Sequence, residues 1–474
     1  MTAMAVSRAL LGKRRALSVI ASLAGLAWPL AGRAAPAETV LYNFAGGTDG
    51  AYSYARLTMD KNGALYGTTS AGGTAGLGVV FKLTPPASSG AAWTESVLYS
   101  FGAGTDGNTP LGAVIINGAG VLFGTTYNGG ASNAGTVFAL SPPTGSRTAW
   151  KEKILYNFTG GADGGNPLAR LTFGANGVLY GTASSGGVAG VNANAQGNGV
   201  VFSLTPPATG ETVWTETVLY AFQGAAGTPG DGSVPYAGVI IDKGGALYGT
   251  TESGGVPGIS ANCLYGSGCG VAWKLSPPAG ASSSWTETVL WQFGMVAGDG
   301  AVPYAGLTFG RGGVLYGVTG DGGSFPPFFG DFNFGTAYRL TPPKTAGAAW
   351  TETVIHDFGY DYDFAYPIGD LIIDNDGALY GTASSYGSEI PAGSSGAGGV
   401  FKLAPPAAGS TTWTETKLHA FTNDSGDYCL TGCYPEAGLI TDSTGALYGT
   451  TVEGGTFPQP PYNVSPGVVF KLTQ

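Results

Sequence analysis

Acidic residues recur at one place in this chain. Asp49, Asp106, Asp163, Asp231, Asp299, the pair Asp361 and Asp363, and Asp427 each precede a short apolar segment, most of them in an Asp-Gly pair. Gathered on one face, such a ring would bind Ca²⁺, or supply the paired acids of glycan cleavage. Asp-Gly is also turn chemistry, in which the carboxylate bonds its own backbone and glycine takes positive φ. A feature that returns in every repeat belongs first to the scaffold, so these are secondary metal candidates. A second group is irregular: Phe325, Phe328, Phe329, Phe332 and Phe334 crowd one loop with Asp321 and Asp331, and Tyr462 stands in the last loop. Aromatic rings beside carboxylates suit a contact surface or sugar stacking; the same loop folded on its own rings is the structural alternative. These eight residues are the ligand-binding candidates. The two histidines, His356 and His419, occupy a slot that elsewhere holds Tyr42, Tyr99, Tyr156, Tyr220 and Trp291, which reads as packing. With no third histidine and no Gly-x-Ser-x-Gly phrase, serine-triad chemistry and histidine metal centres are disfavoured. No catalytic set emerges.

The elements that must position these residues are set by a repeated phrase. Leu65-Tyr66-Gly67-Thr68 returns as Leu122-Phe123-Gly124-Thr125, Leu179-Tyr180-Gly181-Thr182, Leu247-Tyr248-Gly249-Thr250, Leu315-Tyr316-Gly317-Val318, Leu379-Tyr380-Gly381-Thr382 and Leu447-Tyr448-Gly449-Thr450. Around it one repeat reads as four short strands: a from Ala113, b over 121–126, c over 136–140 and d over 150–158. Four strands joined by tight turns and repeated seven times predict a seven-bladed β-propeller. A d strand stands alone at Thr39–Phe44, while the last repeat ends after strand c at Val468–Leu472. Pairing the two closes the ring and leaves no open sheet edge. Loop lengths separate the faces. From the loop proline, or Ser53 in its place, to the Leu of the phrase is 12 residues in every repeat, and from Pro-Pro to the next Trp is 8. All length variation falls in the b–c loops and d–a connections, which emerge on one side of an antiparallel meander. Binding concentrates on variable loops over a rigid scaffold, so that face is expected to be functional.

Residues 1–37 read as a signal peptide, with a basic start at Arg8, Lys13, Arg14 and Arg15, an apolar run over 16–31 and small residues at Ala35-Pro36-Ala37. Residues 38–474 then form a single domain. Removing the leader takes five basic and no acidic residues, moving the formal charge from −10 to −15. So acidic a product excludes nucleic acid and anionic membranes as natural partners. Cys263 with Cys269, and Cys429 with Cys433, are local pairs expected to form disulfides in an oxidising compartment. Strand-d glutamates such as Glu95 and strand-c lysines such as Lys82 are expected to pair across neighbouring strands.

The phrases Gly-Ala-Leu-Tyr-Gly-Thr-Thr, Gly-Val-Val-Phe-Lys-Leu-Thr-Pro-Pro and Trp-Thr-Glu-Thr-Val-Leu-Tyr resemble the GloVer tandem repeat of exported bacterial proteins, over residues 38–474. Members of that family carry varied C-terminal anchors, and this chain departs from them in having no sorting tail before Gln474. The resemblance implies a propeller-like repeat and export to the periplasm or beyond, with no established activity. The expectation is an exported, monomeric, non-catalytic binding module for a glycan or protein ligand, with no membrane span and no cofactor except an optional Ca²⁺. A carbohydrate-active enzyme using carboxylates on the variable face, and a calcium-stabilised structural protein, are the alternatives.

Overall fold

The structure is a computed structural model. It describes residues 36–473 except 89, 188–196, 225–229, 257–267, 281–283, 325–333, 346, 360–362, 387–395, 423–428 and 457–464. Seven four-stranded antiparallel sheets follow one another along the chain, and no α-helix occurs among the described residues. In the second blade, strands a to d are Ile115–Ile116, Leu122–Thr126, Thr136–Ser141 and Lys151–Asn157. The seventh blade is completed by Ala37–Asn43, which pairs antiparallel with Val468–Thr473. The expected closure by the first strand is therefore present, and the fold is a seven-bladed propeller.

Strand a is shorter than expected. It holds only two residues and starts at Ile115 rather than Ala113. The preceding residues line the central channel instead of pairing, as the innermost edge of the blade requires.

The core lies in the seams between blades. Each hydrophobic cluster joins two neighbours; one, for example, combines Val137 and Phe158 of the second blade with Leu179 and Phe202 of the third. The central motif is a pair of rings. Phe158, just beyond strand d, packs edge-on against Phe202 of the next blade at 5.1 Å, and Phe44 meets Phe81 in the same way across the closing seam at 5.1 Å. This ring explains the glycine of the repeated phrase. A Cβ on Gly181 would lie 2.5 Å from Cζ of Phe202, and one on Gly249 would lie 2.5 Å from Cζ2 of Trp273. The threonine after it ties the ring together. Thr68, Thr125, Thr182, Thr250 and Thr382 each donate Oγ1–H to a carbonyl just before strand a of the following blade, at 2.8–3.1 Å. Thr450 reaches Ala55 at 3.3 Å, nearly the full chain length away.

The expected lysine–glutamate pairs do not form among the described residues. Lys82 faces Ser96, whereas Glu95 faces Leu83, so alternation places the two charges on opposite faces of the sheet. Lys82 instead lies over the Tyr66 ring, 5.5 Å from its centroid, as Lys402 and Lys471 lie over Tyr380 and Tyr448 at 5.1 Å.

Candidate functional site

The site grows from a backbone anomaly. The residue before each loop proline, or before Ser53, has positive φ: Tyr52, Thr109, Asn166, Val234, Val302, Tyr366 and Tyr434, all between 54° and 61°. Only Asn166 is a residue type that tolerates this region well, and a β-branched residue there is strained. Two backbone hydrogen bonds hold each one. Val302 donates to Cys269 of the preceding blade at 2.9 Å and accepts from Gly320 at 3.0 Å. The chain thereby turns sharply inward, and the residues after the proline enter the central channel.

Two of these positions build the site. The first after the proline holds Tyr54, Leu111, Leu168, Tyr236, Tyr304, Ile368 and Glu436, which ring the mouth. Ser70, Thr109, Tyr366 and Ser384 complete a mouth cavity of about 750 Å³. Because strand a begins and strand b ends there, the mouth opens on the variable face. The third position holds Arg56, Ala113, Arg170, Gly238, Gly306, Asp370 and Gly438, the waist of a channel of about 430 Å³.

The mouth combines aromatic faces with carboxylates. Tyr236 and Tyr304 stand edge-on at 5.2 Å. Burial and the charge of Glu453 push Glu436 up to about 7, and burial pushes Asp321 up to about 6. Burial, followed by the charges of Glu436 and Glu252, raises Tyr236 to about 12. Tyr304 is raised by burial and then by Glu252 and Asp321. The mouth is thus a half-dry ring of phenols whose neighbouring acids hold protons at higher pH than free carboxylates do.

Of the ligand-binding candidates, Asp321 and Phe334 are described, and both reach this ring. Asp321 acts on Tyr304 and Tyr366, and Phe334 packs edge-on against Tyr366 at 6.1 Å. Phe325, Phe328, Phe329, Asp331, Phe332 and Tyr462 lie outside the described residues, as do Asp361, Asp427 and Cys263.

The Asp-Gly carboxylates sit in separate turns. Asp49 accepts from Tyr42 Oη at 2.9 Å, Ala45 N at 2.8 Å and Gly50 N at 2.7 Å. Asp106 repeats this with Tyr99, Gly102 and Gly107 at 2.7–2.9 Å, and Asp231 with Tyr220, Gln223 and Gly232 at 2.6–2.9 Å. Asp163 holds Tyr156 at 3.0 Å, and Asp299 holds the Trp291 indole at 3.4 Å. Burial, opposed by these bonds, leaves Asp299 at about 6.

His356 takes the tyrosine's part, 3.4 Å from Asp363 and edge-on to Phe358 at 4.6 Å; His419 packs likewise on Phe421 at 4.6 Å. His356, Asp363 and Glu415 bring ligand atoms within 4.8 Å of one another, the one such group among the described residues. The ammonium of Lys417, 3.4 Å from Asp363, already supplies a cation there. Cys429 and Cys433 form a disulfide, and Cys269 is also disulfide-bonded.

Sequence reasoning missed the mouth tyrosines, Glu436 and the channel arginines. A signal was present: one and three residues beyond the loop proline, a mostly apolar or small position is broken by Tyr, Glu, Arg and Asp.

The fold and its channel define this protein as a closed, seven-bladed repeat propeller. The Gloeobacter/Verrucomicrobia repeat family matches residues 30–263, 153–390 and 265–474, and the chain belongs to that family. No curated protein matches it. Among solved structures it is similar to an ulvan lyase of a polysaccharide lyase family, at 10% identity and a TM-score of 0.48, over 91% of this chain and 95% of that one. It is also similar to a glucose dehydrogenase, at 12% identity and TM-score 0.38, over 77% and 96% of the two chains. The sialidase of Trypanosoma rangeli matches at 12% identity and TM-score 0.39, over 82% of this chain and 56% of that one. At these identities and TM-scores the likenesses carry no argument about this chain's activity or ligand.

Proposed function

We propose that this chain is an exported, monomeric, non-catalytic binding module that holds a carbohydrate ligand at the channel mouth on its variable face. The observation that carries this reading is the cavity of about 750 Å³ in which Tyr54, Tyr236, Tyr304 and Tyr366 converge with Glu436. Tyrosine rings offer flat apolar faces to sugar C–H groups, and carboxylates accept from sugar hydroxyls. Export is supported by the leader-like composition of residues 1–37 and by the disulfides. No helix among the described residues is long and apolar enough to cross a membrane.

The test is a glycan array on residues 38–474, followed by calorimetry on any hit. Tyr236→Ala and Tyr304→Ala should each weaken binding at least tenfold, and Arg147→Ala, in the c–d loop of the opposite face, should leave it unchanged. Binding that survives both tyrosine substitutions would sink the assignment.

An enzymatic reading has one observation in its favour. Glu436, raised to about 7 beside Glu453, is suited to general acid catalysis on a glycosidic bond. Cleavage of an array hit by the wild type, lost in Glu436→Gln, would replace binding with hydrolysis or lyase chemistry. Calcium stabilisation is decided by melting with and without chelator, since a bound ion raises the melting temperature.

A further inference from the structure

The waist of the channel holds more positive charge than the fold balances there. Arg56, Arg170 and Asp370 stand three residues beyond the loop proline, or Ser53, in the first, third and sixth blades, and all three line the same channel of about 430 Å³. The other four blades carry Ala113, Gly238, Gly306 and Gly438 there, which keeps the space open. Among the described residues, neither guanidinium makes a hydrogen bond or a close salt bridge, and the charge of Asp370 acts on Arg56 without one. Asp370 Oδ1 also accepts the amide of Gly306 at 2.7 Å, so one carboxylate stands against two guanidiniums. Arg56 is half-buried, with its exposure to the channel. Burial, then the repulsion of Arg170, lowers its pKa to about 10 against the opposing charge of Asp370, so it stays charged at neutral pH. Two other arginines hydrogen-bond within the fold, Arg147 to Thr144 at 2.7 Å and Arg311 to the carbonyl of Asn375, while Arg339 keeps a buried Nε without a partner.

Half-buried guanidiniums that make no hydrogen bond leave donors free, and a ligand can answer them. With two cations against one anion, the waist is net positive inside a chain of formal charge −10. We propose that the waist is a binding site for one small oxyanion group, a carboxylate, sulfate or phosphate, held between Arg56 and Arg170. Guanidinium presents its donors in a flat fork that matches such groups. The mouth leads directly into the waist, so a sugar stacked on Tyr236 and Tyr304 would direct its acidic substituent at the two arginines. This last step rests on the carbohydrate reading; the anion site does not.

The experiment separates the two. Residues 38–474 are titrated calorimetrically at low ionic strength with sulfate, inorganic phosphate, glucuronate and glucose. One anion per chain should bind, glucuronate should exceed glucose, and added chloride should weaken binding. Arg56→Gln and Arg170→Gln should each weaken anion binding about tenfold to a hundredfold. Tyr236→Ala should weaken glucuronate but leave sulfate unchanged. Removing an unpaired charge should leave the melting temperature equal or higher, which checks the fold of each variant. If both Gln variants fail to fold, Arg170→Lys, which keeps charge but loses the fork, should still bind more weakly than wild type. Absence of any anion binding by the wild type, or binding indifferent to both arginines, would overturn the site. Sulfate binding with no glucuronate preference would keep the anion site and refute the sugar-acid ligand.

Discussion

Each blade buries one glutamate on strand d: Glu38, Glu95, Glu152, Glu216, Glu287, Glu352 and Glu415, each with an Oε1 that has no hydrogen-bond partner. Glu287 is the sharpest case. Burial, then the charge of Asp231 across the seam between the third and fourth blades, raises it from 4.5 to about 8. The folded value lies above the unfolded one, so the ionisation penalty is absent below 4.5, grows as pH rises and is complete above about 8. Taken whole, such a shift corresponds to roughly 5 kcal/mol at 1.36 kcal/mol per pKa unit. The side chain is half-buried rather than sealed, and screening reduces the figure to about 1–2 kcal/mol. Glu287→Gln removes the ionisation. At pH 9 the variant should be more stable than wild type by about 1–2 kcal/mol, and at pH 4 the two should agree within a few tenths. Thermal and urea unfolding of residues 38–474 across pH 4–9 would measure this, and the triple variant with Glu216→Gln and Glu352→Gln should enlarge the effect. A wild-type stability that is flat or rises with pH, together with parallel profiles for wild type and variants, would refute the reasoning.

Three further outcomes are expected. Thr182→Val removes the bond to the Ala237 carbonyl at 2.9 Å and leaves a buried acceptor unpaired, costing about 1–3 kcal/mol in urea unfolding. Gly249→Ala drives a Cβ to 2.5 Å from Trp273 Cζ2 and should cost about 1–3 kcal/mol, with a change in near-ultraviolet dichroism from the displaced indole. Deleting residues 1–44 strips the outer strand from the seventh blade and exposes the edge of Val468–Thr473; size-exclusion chromatography should show association or aggregation where residues 38–474 run as one species.

Much of the fold was legible because its information is local and repeated. The 12-residue interval from proline to Leu-Tyr-Gly locates the turn and strand b in every repeat, and the spare d strand at Thr39–Phe44 announces how the ring closes. The site was legible only in part. Asp321 and Phe334 were reached by following loop irregularity, and both adjoin the mouth. Tyr236, Glu436, Arg56 and Arg170 were passed over because each is an ordinary residue within its own repeat. They become a group only when blades far apart in the chain turn the same position toward one axis.

By itself, then, the sequence determined what depends on neighbours along the chain: tight turns, strand order, blade number, the variable face and the net acidity. The tertiary structure decided what depends on neighbours across it. It placed the strand-d glutamates and strand-c lysines on opposite sheet faces, spent the Asp-Gly carboxylates on their own turns, and assigned the Thr of the repeated phrase to the seams. It also brought two guanidiniums, one carboxylate and a ring of tyrosines to one channel. The physical reason is closure: a ring makes every equivalent position a neighbour of all the others around the axis, at distances that spacing along the chain does not encode.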